Sequence, residues 1–444
     1  MIQKLLKFSG VDDAILWSIL NKILSVVKGP ISLYFLIRYL SPTTQGLWFT
    51  FGSLGALTIF AELGFLTIIT QFVSHEFAYL EILNGKISGE PSKIDRLFAL
   101  IRFSVKFYSI IVPAAIFILC VVGFFFFSAE SANVKEAWYV FSIVGGASLI
   151  LSLLQSIYTG LNNVKQAQIN AFLCTFLGAI ANWVMLILKF SIWALVWGNL
   201  FGILIAAVVL YYSAPSFWNQ LLNYKVYQKY NFLKETLPLQ GKYAISWISA
   251  FFILYLLVPA AYRFASKIEA GQVGMTVALI SAATGVSNAW IITKVPLVNI
   301  LVAQKKYAEL DAIFVKSFIQ SVIIQLILFV FLIAGMKLLN IYQPKYVERF
   351  LDIKNTILLM LPQFTQLSVI FISVYLRAHK EEPLMWITLI QSILILISVI
   401  FIFRLLDLQA FLLSLNIIYL AFVLPFSYYI FRKKVTQYKT VTHL

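Results

Sequence analysis

Acidic residues are scarce in this chain. Asp and Glu number 18 in 444 residues, against 34 Lys and Arg, and charged residues make up only 12%. That scarcity, beside 61% hydrophobic residues, excludes a soluble globular domain. Cysteine occurs twice, as Cys120 and Cys174, each within an apolar run, so no disulfide framework or thiolate metal site is expected. The three histidines, His75, His379 and His443, are widely separated and offer no metal-ligand spacing. No cofactor is expected. Also lacking are a phosphate-cradling glycine loop, a Walker lysine and a nucleophile-base-acid pattern. Those lacks argue against an ATP-driven pump and against an enzyme. Energy for any transport would come from ion gradients, the membrane potential or product removal. The N-terminus shows no cleavable signal pattern, because its first apolar run is too long and lacks a small-residue cleavage site.

What is present is hydrophobic length. Mean hydropathy is +0.90, and apolar runs near the roughly 20 residues that cross a bilayer recur throughout. Twelve spans are expected, with cores at 14–37, 46–70, 103–126, 137–157, 168–188, 192–212, 244–262, 273–293, 313–336, 355–376, 384–403 and 408–431. The fold class is therefore an all-α, polytopic integral membrane protein. Placing the N-terminus in the cytoplasm puts about twice as many lysines and arginines in the inside segments as in the outside ones. Both termini are then cytoplasmic. The net charge of +16 follows from this topology and does not signal a nucleic-acid partner.

The chain reads as two related halves. Residues 1–212 form an N-terminal six-helix half, 213–242 a cytoplasmic linker, and 243–444 a C-terminal six-helix half. Arg38-Tyr39-Leu40-Ser41-Pro42, then Gln45-Gly46, follows the first span. Arg263-Phe264-Ala265-Ser266, then Gln272-Val273-Gly274, follows the seventh. Gly160-Leu161-Asn162-Asn163-Val164-Lys165 ends the fourth span, and Tyr375-Leu376-Arg377-Ala378-His379-Lys380 ends the tenth. Repeats of this kind are a common transporter plan, with a substrate site in a central cavity between the halves.

Ser18, Asn21, Ser25, Lys28 and Ser32 recur at spacings of 3 and 4 in the first span, on one helical face. Lys22 lies beside that seam. A charge near the bilayer centre costs at least roughly 2.5 kcal/mol, so the seam is expected to face other helices or a polar cavity. Hydroxyls and amides in such a seam also serve as packing glue. Lys28, deep in the span, points instead to an anionic cargo. Glu62 lies deep in the second span, and Lys28 is its natural charge partner, so the two form either a structural pair or a site where Glu62 couples transport to a proton or cation. Uncharged seams recur: Ser281, Thr284 and Asn288 in span eight; Gln363, Gln366, Ser373 and Arg377 in span ten; Ser148, Ser152, Gln155, Thr159 and Asn162 in span four. The candidate substrate-binding residues are Lys22, Lys28, Asn21, Ser25, Asn288 and Arg377. Arg38 and Arg263 sit at matching span ends as gate or loop candidates, and Arg377, Lys380 and Lys294 also fit positive-inside anchoring.

The chain resembles the polysaccharide and O-antigen flippases (Wzx type) of the multidrug/oligosaccharidyl-lipid/polysaccharide (MOP) exporter superfamily. The residues that carry this are Arg38-Tyr39-Leu40-Ser41-Pro42 with Gln45-Gly46-Leu47-Trp48, Phe60-Ala61-Glu62-Leu63-Gly64-Phe65, and Leu376-Arg377-Ala378-His379-Lys380. Span count and six-plus-six layout extend the resemblance over the full chain. Asn162 departs from the pattern, standing at the end of span four where span ten has Arg377. The resemblance implies a flippase that moves undecaprenyl-pyrophosphate-linked oligosaccharide from the cytoplasmic to the periplasmic leaflet of the bacterial inner membrane. It implies a place in O-antigen and lipopolysaccharide biosynthesis. The implied partners are the lipid-linked oligosaccharide, membrane lipids and the polysaccharide polymerase machinery. The alternatives are a multidrug exporter of the same superfamily, which a lysine-lined cavity disfavours, and a membrane enzyme of glycan assembly, for which no large catalytic loop exists.

Overall fold

The computed structural model describes residues 13–379 and 381–440. Lys380 and His443 lie outside them. The described chain is helical apart from one small hairpin, and ten of its helices are long and apolar enough to cross a membrane. The number rises to twelve if each of two bent helix pairs counts as one span. The protein is a multi-pass, all-α membrane protein.

Contacts divide the chain into two compact units, residues 1–40 with 54–248, and residues 41–53 with 249–444. The first unit begins with α1 (Asp13–Tyr39). The second span is broken rather than continuous. It comprises α2 (Pro42–Gly55), a 3₁₀ turn at Ala56–Thr58, α3 (Ile59–Glu62) and α4 (Phe65–Phe77). The two segments Pro42–Glu62 and Phe65–Phe77 meet at 46°. The cause is local: Leu63 and Gly64 both adopt left-handed backbone, with φ of 45° and 78°, which an α-helix cannot continue through. Gly64 adopts this at little cost, whereas Leu63 is strained there.

Next come β1 (Leu80–Leu83) and β2 (Lys86–Gly89), an antiparallel hairpin in which Leu83 pairs with Lys86. Asn84 and Gly85 form its two-residue turn, both at positive φ, as a hairpin matched to strand twist requires. α5 (Pro91–Phe126) has 36 residues and is about 54 Å long, well beyond a bilayer core. α6 (Ala132–Gly160), α7 (Val164–Ile187) and α8 (Trp193–Ser213) complete the unit's spans.

The segment after α8 is tied down. α9 (Pro215–Asn223) buries Phe217 and Leu221, and the Gln220 side chain pairs with both the N–H and the C=O of Ile87 in β2, at 2.7 and 2.8 Å. Arg102 donates to the carbonyls of Leu221 and Tyr224, filling the end of α9. The buried Asp95 carboxylate accepts from the backbone N–H groups of Tyr227 and Gln228 and from the Tyr230 hydroxyl. Burial and then this carboxylate hold the Tyr230 phenol above its ordinary pKa. Arg96 joins the buried Glu76 of α4 and Glu235, each at 2.9 Å. Glu235 lies in the first turn of α10 (Phe232–Leu254).

α10 leads to the second bend. Trp247–Leu254 meets α11 (Leu257–Phe264) at 48°. Pro259 has no N–H for the Tyr255 carbonyl, and its ring crowds that oxygen. The second unit continues with α12 (Lys267–Ile292), α13 (Val295–Ala303), α14 (Tyr307–Tyr342), α15 (Pro344–Val347), α16 (Ile353–Ala378), α17 (Met385–Ser398), α18 (Leu408–Ile417) and α19 (Leu424–Thr440). Ser266, Asp352 and Asp407 cap α12, α16 and α18, each accepting a first-turn N–H. Val258, Val273, Phe329, Met360, Phe403 and Phe411 are among the residues of its core.

The N-terminal half of the second span belongs to this second unit. Buried Gln45 donates to the carbonyls of Gly271 (2.9 Å) and Arg349 (3.1 Å). Gln272, its counterpart in the other half, donates to the neighbouring Glu348 carbonyl (2.9 Å). A Cβ at Gly46 would collide with the Lys267 carbonyl, and one at Gly274 with the Phe49 ring. The two glutamines thus hold adjacent residues of the loop after α15, and the two glycines allow close approach to Lys267 and Phe49.

Candidate functional site

The polar seam of α1 runs along α7. The Asn21 amide donates to the Gln168 backbone carbonyl at 2.8 Å and to its side-chain oxygen at 2.9 Å. The Trp183 indole donates to the Ser32 hydroxyl at 3.0 Å. Ser25 is exposed and donates to the Asn21 carbonyl of its own helix at 2.9 Å. Asn21 and Ser32 are therefore committed to holding two helices together. Lys28 is half-buried in the same seam and lies near the Cys174 thiol of α7. Lys22 is exposed. Lys28 lies six positions after Lys22, which sets the two about 120° apart around the helix.

Glu62 ends α3, directly before the left-handed break, and is half-buried. Its carboxylate accepts from the Tyr108 hydroxyl of α5 at 3.4 Å. Its backbone carbonyl accepts from the Gln240 amide of α10 at 3.4 Å. Phe65 packs against Tyr108 and stacks on Phe107, which in turn stacks on Phe103. Among the described residues no ion pair joins Glu62 to Lys28. Lys28 faces α7, whereas Glu62 faces α5, so the expected pairing of these two charges does not form. The half-buried carboxyl has a phenol as its donor and no cation paired with it among the described residues, an arrangement suited to taking up a proton or a small cation.

The remaining candidates divide by unit. Asn288 lies in α12, half-buried, with a side-chain oxygen that has no hydrogen-bond partner among the described residues. Its seam neighbour Thr284 bonds back to the Ser281 carbonyl of its own helix. Arg377 is exposed in the last turn of α16 and pairs with Glu382 at 3.0 Å. Arg38 and Arg263 are exposed in the last turns of α1 and α11. A cation in a helix's last turn is favoured by the carbonyls that end there. Lys22, Lys28, Asn21, Ser25, Glu62 and Arg38 belong to the first unit, and Asn288, Arg263 and Arg377 to the second.

One polar row was missed from the sequence. Ser317, Ser321 and Gln325 lie at intervals of four on α14 and are all buried; Ser321 and Gln325 are 0% exposed. Neither of these last two side chains has a hydrogen-bond partner among the described residues. The spacing was the available signal.

No protein-family model matches the chain, and no curated protein matches it in sequence. Solved structures do match in fold. An inward-facing multidrug resistance MATE family transporter of the MOP superfamily aligns with a TM-score of 0.68 at 12% identity, over 95% of this chain and 96% of that one. The lipid II flippase MurJ, in an inward closed conformation, aligns at 0.60 and 14% identity, over 94% of this chain and 87% of that one. An outward-facing MATE transporter aligns at 0.55 and 11%, over 97% of both chains. The chain shares its overall fold with these two multidrug resistance transporters and with this lipid II flippase.

Proposed function

We propose that this protein is a flippase for undecaprenyl-pyrophosphate-linked oligosaccharide, an O-antigen or similar repeat unit. It works in the bacterial inner membrane with both termini cytoplasmic, and moves its cargo outward by alternating access of two six-helix halves. The observation that carries this reading is the sign of the intramembrane charge: Lys28, half-buried in α1, makes no ion pair among the described residues. A cation so placed offsets the cost of bringing a pyrophosphate into a low-dielectric region. Lys22, Ser25, Asn288 and Arg377 would bind phosphate and sugar hydroxyls, while Asn21 holds α1 in place. Arg38 and Arg263 would act at the mouth of the pathway. The membrane potential assists, since one negative charge moving outward down 100 mV, inside negative, gains about 2.3 kcal/mol. A fold shared with a lipid II flippase supports the same reading.

A second reading, a multidrug exporter, draws on Glu62 and on the MATE neighbours. A carboxylate in a span with no cationic partner among the described residues suits a cationic cargo or an exchanged proton. Proteoliposomes distinguish the two. The flippase reading expects leaflet exchange of lipid-linked oligosaccharide, read with a membrane-impermeant glycan probe, and no efflux of cationic dyes. Dye efflux without glycan exchange, in folded protein, would establish the exporter instead.

A further inference from the structure

A groove of about 400 Å³ runs between α14 and α16 in the second unit. Leu326, Phe329, Val330 and Ile333 line one wall, and Ile357, Leu361 and Phe364 the other. The one charged lining residue is Lys337. It continues the α14 face of Leu326, Val330 and Ile333 at spacings of 4, 3 and 4. Across the groove Lys354 continues the α16 face of Ile357, Leu361 and Phe364 at spacings of 3, 4 and 3. Each face thus carries an exposed lysine on the side nearer the loop after α15. Neither lysine makes an ion pair among the described residues. The neighbouring Asp352 carboxylate is engaged with the backbone N–H groups of Lys354 and Asn355 and with the Asn355 amide.

We infer that this groove holds one acyl chain of an anionic phospholipid of the bilayer, with the headgroup phosphate at Lys337 and Lys354. Length decides the occupant. From Lys337 to Leu326 is about 16 Å along α14 at ~1.5 Å per residue. One leaflet's hydrocarbon is roughly 15 Å deep, half of the ~30 Å core. A chain anchored at the two lysines reaches the inner end of the groove and stops at the bilayer midplane. A polyprenyl chain several times longer would leave most of its length outside. The groove lies wholly within one unit and uses none of the residues assigned to transport, so it stands or falls apart from the flippase reading.

The test is photo-crosslinking of the full-length protein in nanodiscs. The probe is phosphatidylglycerol bearing a diazirine in one acyl chain, with labelled peptides mapped by mass spectrometry. Label is expected on 326–337 and 357–364. It should fall about fivefold for each lysine replaced in Lys337→Gln and Lys354→Gln. A phosphatidylcholine probe with the same chains should label these peptides several-fold less. Ile333→Trp, which fills the groove and keeps both lysines, should abolish the label, while thermal melting of each variant confirms folding. Equal labelling by the two lipids, or unchanged labelling in the double lysine variant, would overturn the assignment. So would displacement of the label by equimolar undecaprenyl phosphate, which would make the groove a site for the polyprenyl tail.

Discussion

The polar seam of α1 and the polar row of α14 have the same kind of pattern and opposite fates. Both are uncharged stripes at helical spacing in apolar spans, apart from the lysine in α1. The α1 seam is partly open, yet Asn21 and Ser32 are bonded to α7. The α14 row is more deeply buried, yet Ser321 and Gln325 have no protein partner among the described residues. Spacing therefore reports that a polar face is turned inward. It does not report whether that face holds helices together, and it assigns Lys28 no partner at all.

The largest expected effect separates Lys28 from the groups around it. Lys28→Ala should lower the rate of glycan exchange at least tenfold, about 1.4 kcal/mol or more in barrier, with little change in thermal stability. Lys28→Arg should retain most of the activity. Next comes a reference point away from both stripes. Arg96→Met strands the buried Glu76, and should cost roughly 2 kcal/mol, less than the ~3–5 of a fully buried pair because Arg96 is partly exposed. Chemical unfolding in detergent reads that loss.

Smaller effects sharpen the contrast itself. Asn21→Leu removes both bonds to Gln168 and should destabilise by about 1 kcal/mol, the scale of interhelical hydrogen bonds in membranes. Gln325→Leu keeps the volume and removes two unpartnered polar atoms, so it should be neutral or slightly stabilising. A Gln325→Leu variant that melts well below Asn21→Leu would break the comparison. Glu62→Gln addresses coupling: if Glu62 carries a proton, dissipating the proton gradient at fixed potential slows the wild type and leaves this variant unaffected.

Much of the fold was legible because hydropathy reports spans directly. Helix ends outside the bilayer were not. Hydropathy saw 103–126 of α5 and stopped where Asp95, Arg96 and Arg102 begin, although the helix continues to Pro91. The break after Glu62 was hidden because leucine rarely adopts the left-handed backbone of Leu63. The hairpin carried a readable signal in Asn84-Gly85, passed over in an otherwise helical chain. At the candidate site the residues of α1 were legible and their partners were not. Gln168 and Trp183 lie 147 and 151 positions from the groups they bind, and nothing local marks them. Lys28 and Glu62 looked like a pair because they are the charges of adjacent spans, and their helices turn them toward different neighbours.

Leaflet exchange in proteoliposomes carrying lipid-linked oligosaccharide, wild type beside Lys28→Ala and Lys28→Arg, tests the central claim most directly. The account predicts exchange in the wild type, its near loss with alanine and its retention with arginine. Full exchange in folded Lys28→Ala would remove this lysine from the pathway and with it the argument from the sign of the buried charge.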